Sequence, residues 1–206
     1  MICAIVLAAG RSRRMGTQKL LLPFAHSKVI ARVVDAFLGA PVDRVIVVVR
    51  PRYKRLSDAL AGRSVTFVEN SDAAGDMLSS VRRGLQALPQ TVETILVSPG
   101  DQPSIGAGLI RQLLAAFRSS GRNILVPVHD GRRGHPLVFA GHYRDELLTS
   151  YNGIGLRGLL QTHATAVREW HTNDAAVLED LDTPTDYRRA QRRARAEIHK
   201  TASARC

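Results

Sequence analysis

The chain has 206 residues, 45% of them apolar and 23% charged, which suits one globular domain with a substantial core and excludes a disordered or low-complexity class. Its 29 Lys and Arg against 18 Asp and Glu leave a net charge of +11, which favours anionic partners without choosing among nucleotide, nucleic acid and membrane surface. Cys3 and Cys206 make neither a disulfide framework nor a zinc spacing, no apolar run reaches spanning length, and no basic segment precedes the first apolar run; the expected compartment is the cytoplasm.

Residues 2–7 form an apolar run that reads as a buried strand. It empties into Ala8-Ala9-Gly10-Arg11-Ser12-Arg13-Arg14-Met15-Gly16-Thr17-Gln18-Lys19. Glycine lets backbone N–H groups approach oxygen atoms closely, and the guanidinium and ammonium groups neutralise charge, so this loop is a candidate phosphate cradle. A tight turn with a solvated basic tip is the other reading. The spacing is neither the Walker pattern, because the lysine does not directly follow the second glycine, nor the three-glycine dinucleotide fingerprint.

Leu20-Leu21-Leu22-Pro23-Phe24 follows as a short apolar segment. Ser27 is placed to cap a helix through about Leu38, with Val29, Ile30, Val33, Val34 and Phe37 at helical spacing and Gly39 and Pro41 to stop it. Residues 44–49 read as a second buried strand, and Pro51 suits the start of a helix over 53–60. Residues 65–68 read as a third strand leading to Glu69-Asn70, and a loop through Gly75 precedes a helix over about 76–88. Residues 94–98 make a fourth strand that delivers Pro99-Gly100-Asp101-Gln102-Pro103, and Ser104 opens a helix through Phe117.

Strict alternation of strands and helices to this point predicts a parallel sheet with helices on both faces. Ligands bind beyond the carboxyl ends of such strands, so the loops at Gly10, Asn70 and Asp101 are expected to meet at one edge. The second half is less regular. Residues 123–128 and 135–139 read as strands joined by a Gly-rich turn, a hairpin or inserted flap rather than another crossover. Short helices are expected over 141–148 and 155–163, a last strand over 167–170, and a final helix from Pro184 or Thr185 to about Ile198. One domain over 1–198 with a frayed tail from 199 is the expected organisation. Arg188, Arg189, Arg192, Arg193, Arg195 and Lys200 make that helix strongly basic, either as a solvated face or to draw in anionic ligands.

Asp101, held between prolines at the binding edge of an α/β sheet, suits Mg²⁺, which takes one or two carboxylates and completes its shell with water and phosphate oxygens. Asp182, in Leu181-Asp182-Thr183-Pro184, is the second candidate. On composition alone each fits a cap or turn equally well. His135 before Pro136 reads as structural, or as a donor to an anionic acceptor; no Ser–His–Asp or Cys–His set for nucleophilic catalysis is apparent.

Leu7 to Lys19 fills every fixed position of L-A-(A/G)-G-x-S-x-R-M-G-x-x-K, and so resembles the signature loop of nucleotidyltransferases that work on molybdopterin. Further segments resemble the molybdenum cofactor cytidylyltransferase branch of the MobA-like NTP transferase family. Asn70 with Gly75, Met77, Ser79, Ser80 and Gly84 resembles its N…G-M-x-x-S-L-x-x-G helix. Asp101-Gln102-Pro103 resembles its A-D-Q-P loop, and Arg133-Gly134-His135-Pro136 its R-x-G-H-P segment. Residues 180–187 resemble its late D-(I/L)-D-T-P-x-D-Y motif, and 152–157 more weakly its G-D-x-G-x-R turn. Asp76, Pro99-Gly100 and Gly153 depart from the branch, and Gly153 replaces an aspartate near the acceptor.

The resemblance implies a three-layer αβα, Rossmann-like nucleotidyltransferase fold with a mostly parallel sheet. It implies nucleotide contacts from Leu7, Ala8, Ala9, Gly10, Arg11, Ser12, Met15, Gly16, Asn70, Gly75, Ser79 and Gly100. Acceptor contacts are implied for Gln102, Pro103, Gly134, His135, Pro136 and Arg157, catalytic roles for Arg14, Lys19 and Asp101, and Mg²⁺ (or Mn²⁺) on Asp101 and Asp182. The implied reaction is attack by the phosphate of a molybdopterin-type acceptor on the α-phosphorus of CTP, with pyrophosphate leaving and a molybdenum hydroxylase apo-enzyme as recipient of the product. Ala9 stands where guanylyltransferases of the family carry glycine, and the added methyl favours CTP over GTP. The alternatives are a guanylyltransferase or sugar-nucleotide enzyme, a cofactor-binding accessory protein, and a basic nucleic-acid module, which the 5% aromatic content and the lack of a reader motif disfavour.

Overall fold

The computed structural model describes residues 1–10, 15, 17–72 and 76–203, with side chains to 196. β1 (Ile2–Leu7) is buried on both sides because successive side chains alternate between two apolar layers. Ala4 and Val6 pack into one, Cys3 and Ile5 into the other. The same alternation runs through β4 (Arg44–Val49), where Val45, Val47 and Val49 oppose Ile46 and Val48. It recurs in β6 (Thr94–Pro99), with Leu96 against Ile95 and Val97.

The other strands are β2 (Pro23–Phe24), β3 (Ser27–Lys28), β5 (Thr66–Glu69), β7 (Ile124–His129), β8 (Arg132–Arg133), β9 (Leu137–Ala140) and β10 (Val167–His171). β2 and β3 form a separate antiparallel pair. The main sheet runs β10-β7-β9-β6-β1-β4-β5, with β8 beside β7. β1, β4, β5 and β6 are parallel, as are β7 and β10, while β8 and β9 run against their neighbours. One face is covered by α1 (Val29–Leu38), α2 (Lys54–Ala59), α4 (Ala107–Ser119) and α7 (Pro184–Ser203); the other by α3 (Met77–Gln86), α5 (Arg144–Thr149) and α6 (Leu156–Thr162). This is the expected three-layer αβα architecture.

Register sets the site. Leu7 lies level with Val48 and with Pro99, and Val49 with Glu69, so the strands end together and their loops share one edge. The reversed strand β9 starts at that same edge, because Leu137 pairs with Val97. His135 therefore arrives beside the Asp101 loop although it precedes its strand rather than following one. β9 is inserted between β6 and β7 as a full sheet member, so the expected hairpin is integral and is not a flap.

Several boundaries differ from expectation for local reasons. Ser27 pairs in the β2–β3 hairpin and does not cap α1, whose N-cap Lys28 makes no side-chain bond. α4 begins at Ala107 behind Gly106, not at Ser104. α2 begins at Lys54, because Arg52 takes a positive φ of 62° between Pro51 and the helix. α7 continues to Ser203, beyond the expected end at Ile198. Arg189 and Arg193 on it pair with Asp186 and Glu179, so part of its charge is answered locally.

Gly134 is the tightest backbone approach near the site: an added Cβ would lie 2.2 Å from the Val177 carbonyl oxygen. The two nearest atoms belong to the Val177 backbone, which has no flexible end to yield. Gly134→Ala is expected to cost about 1–3 kcal/mol, read in urea unfolding, whereas Gly108→Ala in the exposed first turn of α4, where an added Cβ meets nothing, stays within about 0.5 kcal/mol.

Candidate active site

The shared edge opens into a cleft of about 400 Å³. Leu7, Ala9 and Gly10 line it from the end of β1, Lys19 and Leu20 from the segment that follows, and Asp76, Met77 and Ser80 from the start of α3. Pro99 and Asp101 enter from β6, His135 from the approach to β9, and Asp180 and Asp182 from the chain before α7. Leu7, Ala9, Gly10, Lys19, Asp101, His135 and Asp182 thus converge as expected from positions scattered through the sequence. Arg11, Ser12, Arg14, Gly16 and Gly75 lie outside the described residues. Ala8 is buried, its N–H donating to Val48 O at 2.8 Å. Met15, half-buried, is not among the groups lining the cleft.

The charged centre is Lys19, whose Nζ lies 3.0 Å from Asp182 Oδ1 and also pairs with Asp101 Oδ2. Lys19 and Asp101 side chains are each 13% exposed, Asp182 40%. Burial works against the ammonium, but the two carboxylates outweigh it and hold its pKa above the usual lysine value. Two carboxylates converging on one cationic atom is the donor set that Mg²⁺ or Mn²⁺ takes, with phosphate oxygens completing the shell, so the residues present fit a divalent ion. Among the described residues no group of three or more His, Cys, Asp or Glu forms a ready-made metal cage.

The carboxylates are placed by a backbone clasp. Leu181 N–H donates to Asp101 O at 3.1 Å, and His135 N–H donates to Val177 O at 2.9 Å. Gln102, 1% exposed, donates from Nε2 to Asp180 Oδ1 at 2.8 Å, and more weakly to Val177 O at 3.5 Å. Gln102 therefore sits behind the cleft as a strut, beside the buried Pro103. Gly100 packs under β1, its N–H on Leu7 O at 2.9 Å, where an added Cβ would meet that same oxygen at 2.9 Å.

Asn70 is also a brace. It is 4% exposed, its amide donates to Ser79 Oγ and Ser80 Oγ at 3.0 Å each, and its carbonyl accepts from Asp72 N–H at 3.1 Å. Asp76, the departure from the family pattern, is the N-cap of α3, accepting from Ser79 N–H at 2.9 Å.

A second cleft of about 880 Å³ adjoins the first and shares Asp76, Met77 and His135 with it. Gly134 and Arg157 line it as expected, together with Arg132, Arg133 and the turn Gly153-Ile154-Gly155. Pro136 is buried behind it, joined to His135 by a cis peptide bond. Met77 and Ile154, 53% and 55% exposed, are the most exposed large apolar side chains among the described residues, and both face this cleft. His135 Nδ1 is sealed from solvent with no partner among the described residues. Burial, only partly offset by Asp101, lowers its pKa, so the ring is neutral at pH 7 and fit to donate or accept one hydrogen bond.

Sequence reasoning passed over Asp180, although it shares the Asp-Leu-Asp triplet with Asp182. In extended chain, alternate residues face one way, and that signal places both carboxyls together. Desolvation inside the cleft, followed by repulsion from Asp101, raises Asp180 to about 6. The residue as a whole is exposed, so solvent screens part of the effect. Because the folded pKa lies above the unfolded value of about 4, the folded state binds the extra proton between the two, and stability falls as pH rises through that window. Asp180→Asn, which keeps the oxygen that accepts from Gln102, is expected to unfold at higher urea than the parent at pH 7–8, with the gain vanishing below about pH 4.

Residues 4–169 match the MobA-like NTP transferase domain. The molybdenum cofactor cytidylyltransferase of Escherichia coli K12 is 29% identical over 93% of this chain and 96% of its own. The 2-C-methyl-D-erythritol 4-phosphate cytidylyltransferase of Prochlorococcus marinus MIT 9313 is 30% identical over 87% and 85%. The crystal structure of Rv0371c from Mycobacterium tuberculosis H37Rv superposes with a TM-score of 0.82 at 28% identity over 93% of this chain and 97% of that one; the same protein has also been solved in complex with manganese. Domain match, near-full-length relatives and fold agree with a cleft at the strand ends: the chain belongs to the MobA-like NTP transferase family and is a nucleotidyltransferase.

Proposed function

We propose that the chain transfers CMP from CTP to the terminal phosphate of molybdenum-loaded molybdopterin, releasing pyrophosphate, and that the product serves a molybdenum hydroxylase apo-enzyme. The carrying observation is the pair of adjoining clefts that share His135, Asp76 and Met77. One cleft starts at the glycine loop and the carboxylates, where a nucleoside triphosphate fits; the other is bordered by Arg132, Arg133 and Arg157, which suits an anionic acceptor.

The acceptor phosphate is already ionised at neutral pH and needs no general base. One of its oxygens forms a bond to the α-phosphorus as the bond from that phosphorus to the β-bridging oxygen breaks, and pyrophosphate carries away the charge. The chain contributes position and charge. Backbone N–H groups at Ala9 and Gly10, together with Arg14, hold the triphosphate. Lys19 stabilises the leaving pyrophosphate, and Asp101 and Asp182 would hold Mg²⁺ or Mn²⁺, which would supply further neutralisation of phosphate charge. His135 donates to the acceptor.

Two features support the choice of substrates. Ala9 lines the nucleotide cleft, and its methyl takes space a purine would use. Met77 and Ile154 offer apolar faces to a flat ring system in the acceptor cleft. A second reading, a smaller polyol phosphate as acceptor, has the support of the Prochlorococcus relative, but it leaves those two exposed faces without a use.

Asp101→Ala and Lys19→Ala are each expected to lower kcat by ~100-fold or more while retaining the parental melting midpoint to within a few degrees. Near-normal turnover in either variant refutes the assignment. With CTP and GTP assayed side by side against the molybdopterin acceptor, CTP is expected to be preferred, and Ala9→Gly to narrow that preference; faster release of pyrophosphate from GTP by the parent protein rules out the cytidine reading.

A further inference from the structure

Arg82, on α3, commits its whole guanidinium to one short segment. Nε donates to Leu147 O at 2.9 Å, Nη2 to Ser150 O at 2.6 Å, and Nη1 to Asn152 Oδ1 at 2.8 Å. The chain then runs directly into Gly153-Ile154-Gly155, which walls the second cleft. That wall is poorly self-supporting. Tyr151, Gly153 and Gly155 take positive φ of 73°, 76° and 73°, and for tyrosine this backbone is unfavourable. The turn's own bonds are those of Ile154 and Gly155 N–H to Tyr151 O, at 3.1 and 3.0 Å.

From the other side, the Tyr151 hydroxyl donates to the Glu146 carboxylate, which also lies 2.9 Å from His163 Nε2. The Tyr151 ring packs against Gly158 of α6, where an added Cβ would fall 2.2 Å from it. The turn is thus held among α3, α5 and α6, and Arg82 is its tie to α3. The N-terminal end of α3 carries Asp76 and Met77 into both clefts and is fixed to the end of β5 through Asn70. One helix therefore spans the nucleotide cleft at its start and the acceptor wall at Arg82.

The geometry points to Arg82 as a positioning residue that sets the acceptor wall against the nucleotide cleft, and so governs acceptor affinity while leaving nucleotide affinity untouched. This rests on reading the second cleft as the acceptor site. The fork of an arginine is required, because three acceptors at three positions must be met at once; a lysine ammonium reaches them only singly.

The test uses full-length Arg82→Met and Arg82→Lys. Hydrogen exchange is followed at the amides of Ile154 and Gly155, CTP affinity by calorimetry, and KM and kcat with molybdenum-loaded molybdopterin. In Arg82→Met those amides are expected to exchange about tenfold faster, acceptor KM to rise about tenfold with kcat within about threefold, and CTP affinity to stay within about twofold, with Arg82→Lys between. Unchanged exchange, an unchanged acceptor KM, or equal loss of affinity for both substrates overturns the inference. Should Arg82→Met not fold, Asn152→Ala removes one exposed partner and is expected to shift exchange and acceptor KM in the same direction by less; no shift there overturns it too. Ile154→Asp separates this inference from the reading beneath it. If Ile154→Asp leaves acceptor KM unchanged, the second cleft is not the acceptor site; if it raises that KM while Arg82→Met does not, Arg82 alone has been misread.

Discussion

The Val177 carbonyl is where the late part of the chain is tied to the sheet edge. It accepts from the His135 amide, lies within reach of Gln102, and crowds the position that Gly134 keeps free of a side chain. Four residues on, Leu181 closes the clasp on the Asp101 carbonyl. Two carboxylates far apart in sequence are thereby held around one lysine by backbone, and backbone bonds are less sensitive to side-chain choice than any ion pair. The sheet supplies the platform, but the clasp decides that Asp182 faces Asp101.

The site's electrostatics run against those of the whole molecule. The chain carries +11, yet the centre of the cleft holds Asp101, Asp180 and Asp182 with Lys19 among them. Desolvation, and then repulsion from the neighbouring carboxylates, raises Asp180, and attraction to two of them raises Lys19. The basic exterior favours encounter with anionic partners, whereas the centre of the cleft carries more acidic than basic side chains.

Much of the fold was legible in the sequence. The apolar runs of β1, β4 and β6 are buried on both faces, and such runs are hard to mistake; residues 44–49 form a strand with the expected bounds. Expectation failed where local propensity met tertiary demand. Ser27 is a good cap by type but pairs across a hairpin of two-residue strands, too short to show periodicity. The bracing bonds of Asn70 were not legible, because Ser79 and Ser80 come within its reach only after α3 folds back onto β5. Arg82 carries no sequence signal at all: two of its three partners are backbone carbonyls, which have no residue type to read. The convergence of Gly10 and Asp101 was legible because it follows from strand polarity, whereas the arrival of His135 depends on the reversal of β9 and the strut role of Gln102 on packing.

The order of strands also sets a sequence of events in folding. β1 lies in the middle of the sheet, between β4 and β6. It precedes both neighbours in the chain, and parallel pairing must wait for a crossover to close each long loop. The glycine loop at its end thus has no carboxylate opposite it until β6 docks, and Asp182 comes later still. The cleft is assembled from segments far apart in the sequence, so a chain without residues 180–182 can hold most of the sheet and lack the site.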